Sequence, residues 1–399
     1  MIVLAGGDLV LPDRILSSAS LLIEHTRIAA VEPKARPDVS GADVIDARDC
    51  YVLPGFIDVH VHGVDGVDSL DAGDPIARIA SRLPRYGVTA FCPTTVACSP
   101  AALRGVLAHV GRGRSGRPPA SARVLPAHLE SNFINPDYRG AQPAECLRAP
   151  NAVRGSSEGE FSAHEILDVI AAARPDVGIV TLAPELPGGV DLIRDLVRAG
   201  HRVSIGHSGA TFDEAMAAID AGARQATHLF NRMAPVTHRA PGIAGAVLAR
   251  EDVAAELICD GYHVHPAMAR VAIASKGAGR LMAITDGTAG SGLTVGSTAR
   301  LGGRNIRVTE AAAILDDGTL AGSTLTMDRA FKTIVTVFDL SVVDAAVLCS
   351  TTPARELGLT GFGMLAAGAV ADLVILDRGF RVVRTFIDGR EIYRRGAVA

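Results

Sequence analysis

The stretch GFIDVHVHG, residues 55–63, decides the fold. Its β-branched, apolar run suits a buried strand, yet it carries two histidines one residue apart and stops at a glycine. Strand alternation puts residues i and i+2 on one face, so His60 and His62 point the same way from the strand's carboxyl end. Two imidazoles so placed can converge on one ion. A pair of this kind is as readily hydrogen-bonded core as ligand, and the rest of the chain decides between the two.

Seven further segments read as strands: 88–94 (VTAFCPT), 123–130 (RVLPAHLE), 178–185 (GIVTLAPE), 202–207 (RVSIGH), 224–228 (RQATH), 254–260 (AAELICD) and 280–286 (RLMAITD). Helical stretches such as DPIARIASRLPRYG, GVDLIRDLVRAG and TFDEAMAAIDAG alternate with them, the last opened by an N-capping Thr211. Eight strands separated by helices predict a (β/α)8 TIM-type barrel over residues 54–355. A doubly wound open sheet is the alternative. Both chain ends instead show short, punctuated β patterns, so residues 1–53 and 356–399 are expected to build one small β-sandwich domain. The stretch GRGRSGRPPASAR, 111–123, reads as a surface loop.

In a barrel the active site gathers at the carboxyl ends of the strands. Those ends carry His60 and His62 (first strand), Glu130 (third), Glu185 (fourth), His207 (fifth), His228 (sixth) and Asp286 (eighth). Such a set can hold one or two divalent ions with a position left for water. A metal lowers the pKa of that water, and Asp286 is the residue type that takes its proton and passes it to a leaving group. The reaction class is metal-assisted hydrolysis, and a catalytically silent scaffold has no use for these groups. His128, on the same face as Glu130, is either support behind the ligands or core packing. Glu185 reads as a salt-bridged barrel residue, and His25, His109, His164 and His201 are given no role.

The chain has 399 residues and a net charge of −4 with no basic tail, so nucleic acid is not expected as a partner. Six scattered cysteines without Cys-x-x-Cys spacing, no membrane-spanning run and no export signal point to a reduced, cytoplasmic protein. The three lysines, Lys34, Lys276 and Lys332, lie away from the fourth strand's end, so a bridging carbamylated lysine has no candidate there.

LPGFIDVHVHG, HLE…NFINPDYRGAQ, VTLAPE, SIGHSGAT, ATHLFNRM, RAPGIAGAVL, CDGYHVHP, AITDGTAG and LAGSTLTMD follow one another along nearly the whole chain. In this order they resemble the N-acetylglucosamine-6-phosphate deacetylases of the amidohydrolase superfamily. The resemblance implies a barrel with a small β-sandwich, a divalent metal (zinc or iron in most members) and removal of acetate from an N-acetylated amino-sugar 6-phosphate. It makes Glu130, His207 and His228 the principal ligands, with His60 and His62 matching members that hold a second ion. Asp286 becomes the catalytic base and acid, and His263 the contact near the scissile carbonyl. Asn231 and Arg232 contact the sugar phosphate. Arg239 matches an arginine that reaches the phosphate from a neighbouring subunit, which implies a homodimer. Two positions depart from the family pattern. Ser131-Asn132 replaces Gly-Pro, and Arg232 stands where a small residue is common. The first motivates an alternative substrate, an unphosphorylated or differently acylated amino sugar or amine. The segment 132–160, by length and composition, suits a lid.

Overall fold

The computed structural model describes residues 1–36, 40–151 and 160–396. Part of the segment expected to form a lid, 152–159, lies outside the described residues. All eight strands anticipated for the barrel form, and all are parallel: β1 (Phe56–Val61), β2 (Val88–Thr95), β3 in two pieces (Arg123–Val124 and Ala127–Glu130), β4 (Val177–Leu182), β5 (Arg202–Ile205), β6 (Gln225–Ala226), β7 (Ala254–Ile258) and β8 (Leu281–Ile284). Each pairs with its sequential neighbour from β1 to β8. Pro126 has no N–H to give a ladder, and β3 breaks there. Every residue of β2 and of β7 is buried, as expected for parallel strands covered on both faces.

The eighth strand returns to the first, which excludes an open sheet. Val61 bridges Gly287, and the His62 N–H donates to the Gly287 carbonyl at 2.8 Å. Asp58 completes the seam. It is wholly buried, accepts the Thr285 hydroxyl at 2.6 Å, and is pushed up to about 7 by that burial.

Helices cover the barrel with one apolar face inward. Gly189–Arg198 buries Leu192, Ile193 and Leu196, each worth about 1.5–3 kcal/mol on transfer from water. Thr211 caps Phe212–Asp220 as anticipated, in a reciprocal box with Glu214. The loop expected at 111–123 is corrected in part: the helix Pro100–Ser115 runs through its first five residues. Its glycines serve close approach rather than a turn, since a Cβ at Gly113 would lie 2.9 Å from Val124 and one at Gly111 2.7 Å from Asp176.

Both termini enter one sheet, in which Ile2–Val10, Ile15–Glu24, Arg27–Glu32, Asp43–Asp46 and Cys50–Pro54 join Leu373–Asp377, Val382–Ile387 and Arg390–Arg394. Its strands are hydrogen-bonded as one branched sheet around a separate apolar core that includes Leu4, Leu21, Leu373 and Phe386. A second small sheet, Thr298–Leu301, Arg304–Val308 and Ala313–Leu315, follows β8 and packs over the barrel mouth through Val96. The sequence reading did not anticipate it.

Candidate active site

The barrel mouth opens into a cavity of about 480 Å³ whose lining includes His62, Glu130, His207, His228, His263 and Asp286. Glu130 closes β3, while His207, His228 and Asp286 each lie two residues past β5, β6 and β8. These last three adopt left-handed backbone, with φ of +48°, +29° and +47°. Such conformations cost about 1–3 kcal/mol each and persist only where surroundings fix them. Here the Asn135, Asn231 and Ser323 N–H groups donate to the carbonyls of His207, His228 and Asp286 at 3.1, 2.9 and 2.8 Å.

Glu130, His207 and His228 converge. Glu130 Oε1 lies 2.8 Å from His207 Nε2 and 2.9 Å from His228 Nε2, and the two Nε2 atoms are 3.0 Å apart. His207 Nδ1–H donates to the Tyr138 carbonyl at 2.8 Å, which leaves its Nε2 lone pair facing the cluster. Burial alone would push the Glu130 carboxyl up, but His207, His228 and His60 outweigh it and hold the group well below its usual range. Electron-pair donors crowded this closely in a buried place suit a shared cation.

His60 and His62 form the adjoining half. Their Nε2 atoms are 3.2 Å apart and lie 3.3 and 3.4 Å from Asp286 Oδ1. His60 Nδ1–H donates to Glu256 at 2.9 Å, again leaving Nε2 inward. Burial disfavours a charged His60, yet Glu256, Asp286 and Glu130 raise it to about 10. The field that favours a proton on Nε2 would equally favour a metal cation there. Among the described residues, three sets of close-set ligand atoms occur, His60–His62–Asp286, Glu130–His207–His228 and His60–His128–Glu256, and they adjoin one another. The residues present fit one or two divalent ions.

In the third set, His128 has no ring nitrogen left over for an ion. His128 donates Nδ1–H to the Val59 carbonyl at 2.9 Å and accepts the Thr181 hydroxyl on Nε2 at 2.7 Å, so both nitrogens are used. Burial pushes it down to about 4, and it packs edge-on against the His60 ring. Among the described residues Glu185 has no salt-bridge partner, contrary to expectation. It clamps three loops, accepting Asn135 Nδ2 at 2.8 Å, the Ser208 hydroxyl at 2.7 Å and the Gly209 N–H at 2.7 Å.

The expected substrate contacts divide. His263 turns an unpartnered, buried Nε2 toward the cavity, and Asp260 accepts its Nδ1–H at 2.6 Å. Asn231 and Arg232 line the same space. Gly140, at φ +58°, gives Arg232 room, because a Cβ there would lie 2.6 Å from the guanidinium Nε. Arg239 is exposed and outside this lining. The departures at 131–132 face away from the cavity: Ser131 donates to the Thr181 carbonyl at 2.6 Å, and Asn132 Nδ2 donates to the Cys98 and Cys146 carbonyls at 2.8 and 2.7 Å.

Three participants were missed in the sequence. Gln142 donates to Glu130 Oε2 and accepts the Ala97 N–H at 2.7 Å. Glu256 was signalled by its place inside an otherwise apolar strand, and Asp260 by standing two residues past the seventh strand, where the other strands carry functional groups.

Residues 51–392 match the model of the amidohydrolase family, whose members depend on divalent metal. The chain is 35% identical over 351 residues to an N-acetylglucosamine-6-phosphate deacetylase of Lysinibacillus sphaericus, covering 88% of this chain and 87% of that one. It is also 35% identical over 392 residues to an N-acetylgalactosamine-6-phosphate deacetylase of Escherichia coli O157:H7, with 97% and 98% covered. Its fold matches a mutant N-acetyl-D-glucosamine-6-phosphate deacetylase of Mycobacterium smegmatis, solved in complex with N-acetyl-D-glucosamine-6-phosphate, at a TM-score of 0.87 and 33% identity, covering 98% and 99%.

Proposed function

This chain belongs to the amidohydrolase family, and we propose that it hydrolyses the acetamide of N-acetylglucosamine 6-phosphate to glucosamine 6-phosphate and acetate. The observation that carries this is the convergence of Glu130, His207 and His228 within 3.0 Å of one another, beside Asp286 and below a cavity with a cationic, polar side.

Glu130, His207 and His228 are the proposed ligands of a divalent ion, zinc or iron, and His60 and His62 with Asp286 would seat a second. When bound, such an ion would supply Lewis acidity to the attacking water and the amide carbonyl. Asp286 takes the proton of the attacking water and delivers it to the amide nitrogen as the C–N bond breaks, since an amine leaves readily only when protonated. His263, fixed by Asp260, meets the carbonyl side of the substrate. Asn231 and Arg232 hold the sugar phosphate, Arg232 as a planar fork suited to phosphate oxygens.

Arg239 completes this anion site across a homodimer. Its exposure, and the exposed apolar side chains of Val236, Tyr262 and Met268 on neighbouring segments, suit a face covered by a second copy. The free state of all six cysteines and a phosphorylated substrate fit a cytoplasmic enzyme. No helix of the described residues is long and apolar enough to cross a membrane.

Ser131 and Asn132 spend their side chains on backbone carbonyls, so the change that motivates the unphosphorylated alternative adds no side chain to the cavity. The Escherichia coli relative does favour a second reading, the galactosamine epimer. Acetate release from both N-acetylhexosamine 6-phosphates and from N-acetylglucosamine tests the proposal. A strong preference for a phosphorylated sugar is expected, and equal rates with and without phosphate would refute it.

A further inference from the structure

The cavity's phosphate-binding candidates and its aliphatic stretch come from different loops. Asn231, Arg232 and His263 lie on the loops after β6 and β7, interleaved with the apolar Phe230, Met233 and Pro235. Across the barrel, Val96 follows β2, Ala141 lies in the loop after β3, and Leu301 and Leu320 belong to the small sheet after β8 and the turn closing it. None of these four side chains carries a polar atom. Val96, Leu301 and Ala141 pack in one cluster.

This wall stands directly beside the reacting groups. Gln142, next to Ala141, donates to Glu130 and accepts the N–H of Ala97, next to Val96. Gly322, two residues past Leu320, faces Asp286, with a Cβ there only 3.5 Å from Oδ1. An amide carbon held between Glu130 and Asp286 has its amine substituent on one side and its acyl chain on the other. A sugar phosphate held by Asn231 and Arg232 lies toward the loop after β6, which turns the acyl chain toward Val96, Ala141, Leu301 and Leu320. Four apolar side chains from three elements offer more surface than one methyl group covers.

Resting on the deacetylase reading, we propose that this wall is an acyl subsite that accepts chains longer than acetyl, so that the enzyme also hydrolyses N-propionyl and N-butyryl amino-sugar phosphates. The step is unchanged: water adds its oxygen to the acyl carbon, the C–N bond breaks, and the products are the longer carboxylate and the free amine. Each added methylene gains up to about fourfold in binding, set against any tightness of fit.

The test compares kcat/KM for N-acetyl-, N-propionyl- and N-butyrylglucosamine 6-phosphate with metal-loaded enzyme, alongside the filling variants Leu320→Trp and Ala141→Leu. The longer substrates are expected within tenfold of acetyl, and either folded variant is expected to lower the butyryl-to-acetyl ratio at least tenfold. Two outcomes overturn the subsite while leaving deacetylation standing: a larger than tenfold fall from acetyl to propionyl, or a ratio unchanged in both variants. Hydrolysis of none of the three overturns the deacetylase reading and the subsite with it.

Discussion

Glu256 offers the sharpest perturbation, because every group around it is a donor. It is wholly buried in β7 beneath His60. Its Oε2 accepts His60 Nδ1–H at 2.9 Å and lies 3.3 Å from the His228 N–H, while Oε1 accepts Gln225 Nε2 at 2.6 Å. Glu256→Gln keeps the size and turns one acceptor into a donor. If the new amide nitrogen faces His60, the imidazole must move its proton to Nε2, the atom directed at His62 and Asp286, and can no longer offer a lone pair there. If it faces Gln225, that side chain cannot simply flip, because its Oε1 already accepts Arg202 Nε at 2.6 Å. Either arrangement leaves a buried donor unmet at about 1–3 kcal/mol. The expected effect is a metal affinity lower by about tenfold to a hundredfold, as for other carboxylates that orient a ligating histidine. Competition with a coloured chelator, followed by acetate release at saturating metal, measures it. An E256Q protein within twofold of wild type in affinity would refute the claim that Glu256 prepares His60 for an ion.

Three further outcomes follow from the same geometry. Asp286→Asn is expected to retain substrate binding, measured by calorimetry, while kcat falls about 10²–10⁴-fold, since the proton carrier is lost and the Glu130–His207–His228 cluster is left in place. Arg239→Ala should raise KM for the 6-phosphate about tenfold or more and leave the unphosphorylated sugar unaffected, read from paired steady-state kinetics. Burial pushes the Asp372 carboxyl up to about 6 from an ordinary 3.8, against the pull of Arg123. The folded chain then holds this proton more tightly than the unfolded chain, so the stabilisation is full below about pH 4 and lost as pH rises through 6, up to about 3 kcal/mol. Urea unfolding between pH 4 and 7 should show a flatter profile for Asp372→Asn than for wild type.

The fold was legible because period and punctuation agreed. Each barrel strand is a short apolar run, most of them closed by a polar residue such as Glu130, His207, His228 or Asp286, and the cap at Thr211 stands at its helix start. The convergence was legible because barrel geometry converts a strand end into a common address: Glu130, His207 and His228 lie far apart in the chain and within 3.0 Å in space. What sequence could not reveal depends on tertiary approach. Gly111 and Gly113 resemble loop residues until Asp176 and Val124 are seen against them. Glu185 reads equally as an ion-pair partner or a loop clamp, because its donors come from two other loops. The sheet at 298–315 has strands of only three to five residues, too short for alternation to stand out, yet it supplies Leu301 to the apolar wall of the cavity.

The central claim is that Glu130, His207 and His228 share a divalent ion. Elemental analysis of purified protein, with Glu130→Ala and His207→Ala measured alongside, tests it most directly. The account requires at least one divalent ion per chain in the wild type and its loss in both folded variants. Wild-type stoichiometry retained in either variant would contradict it.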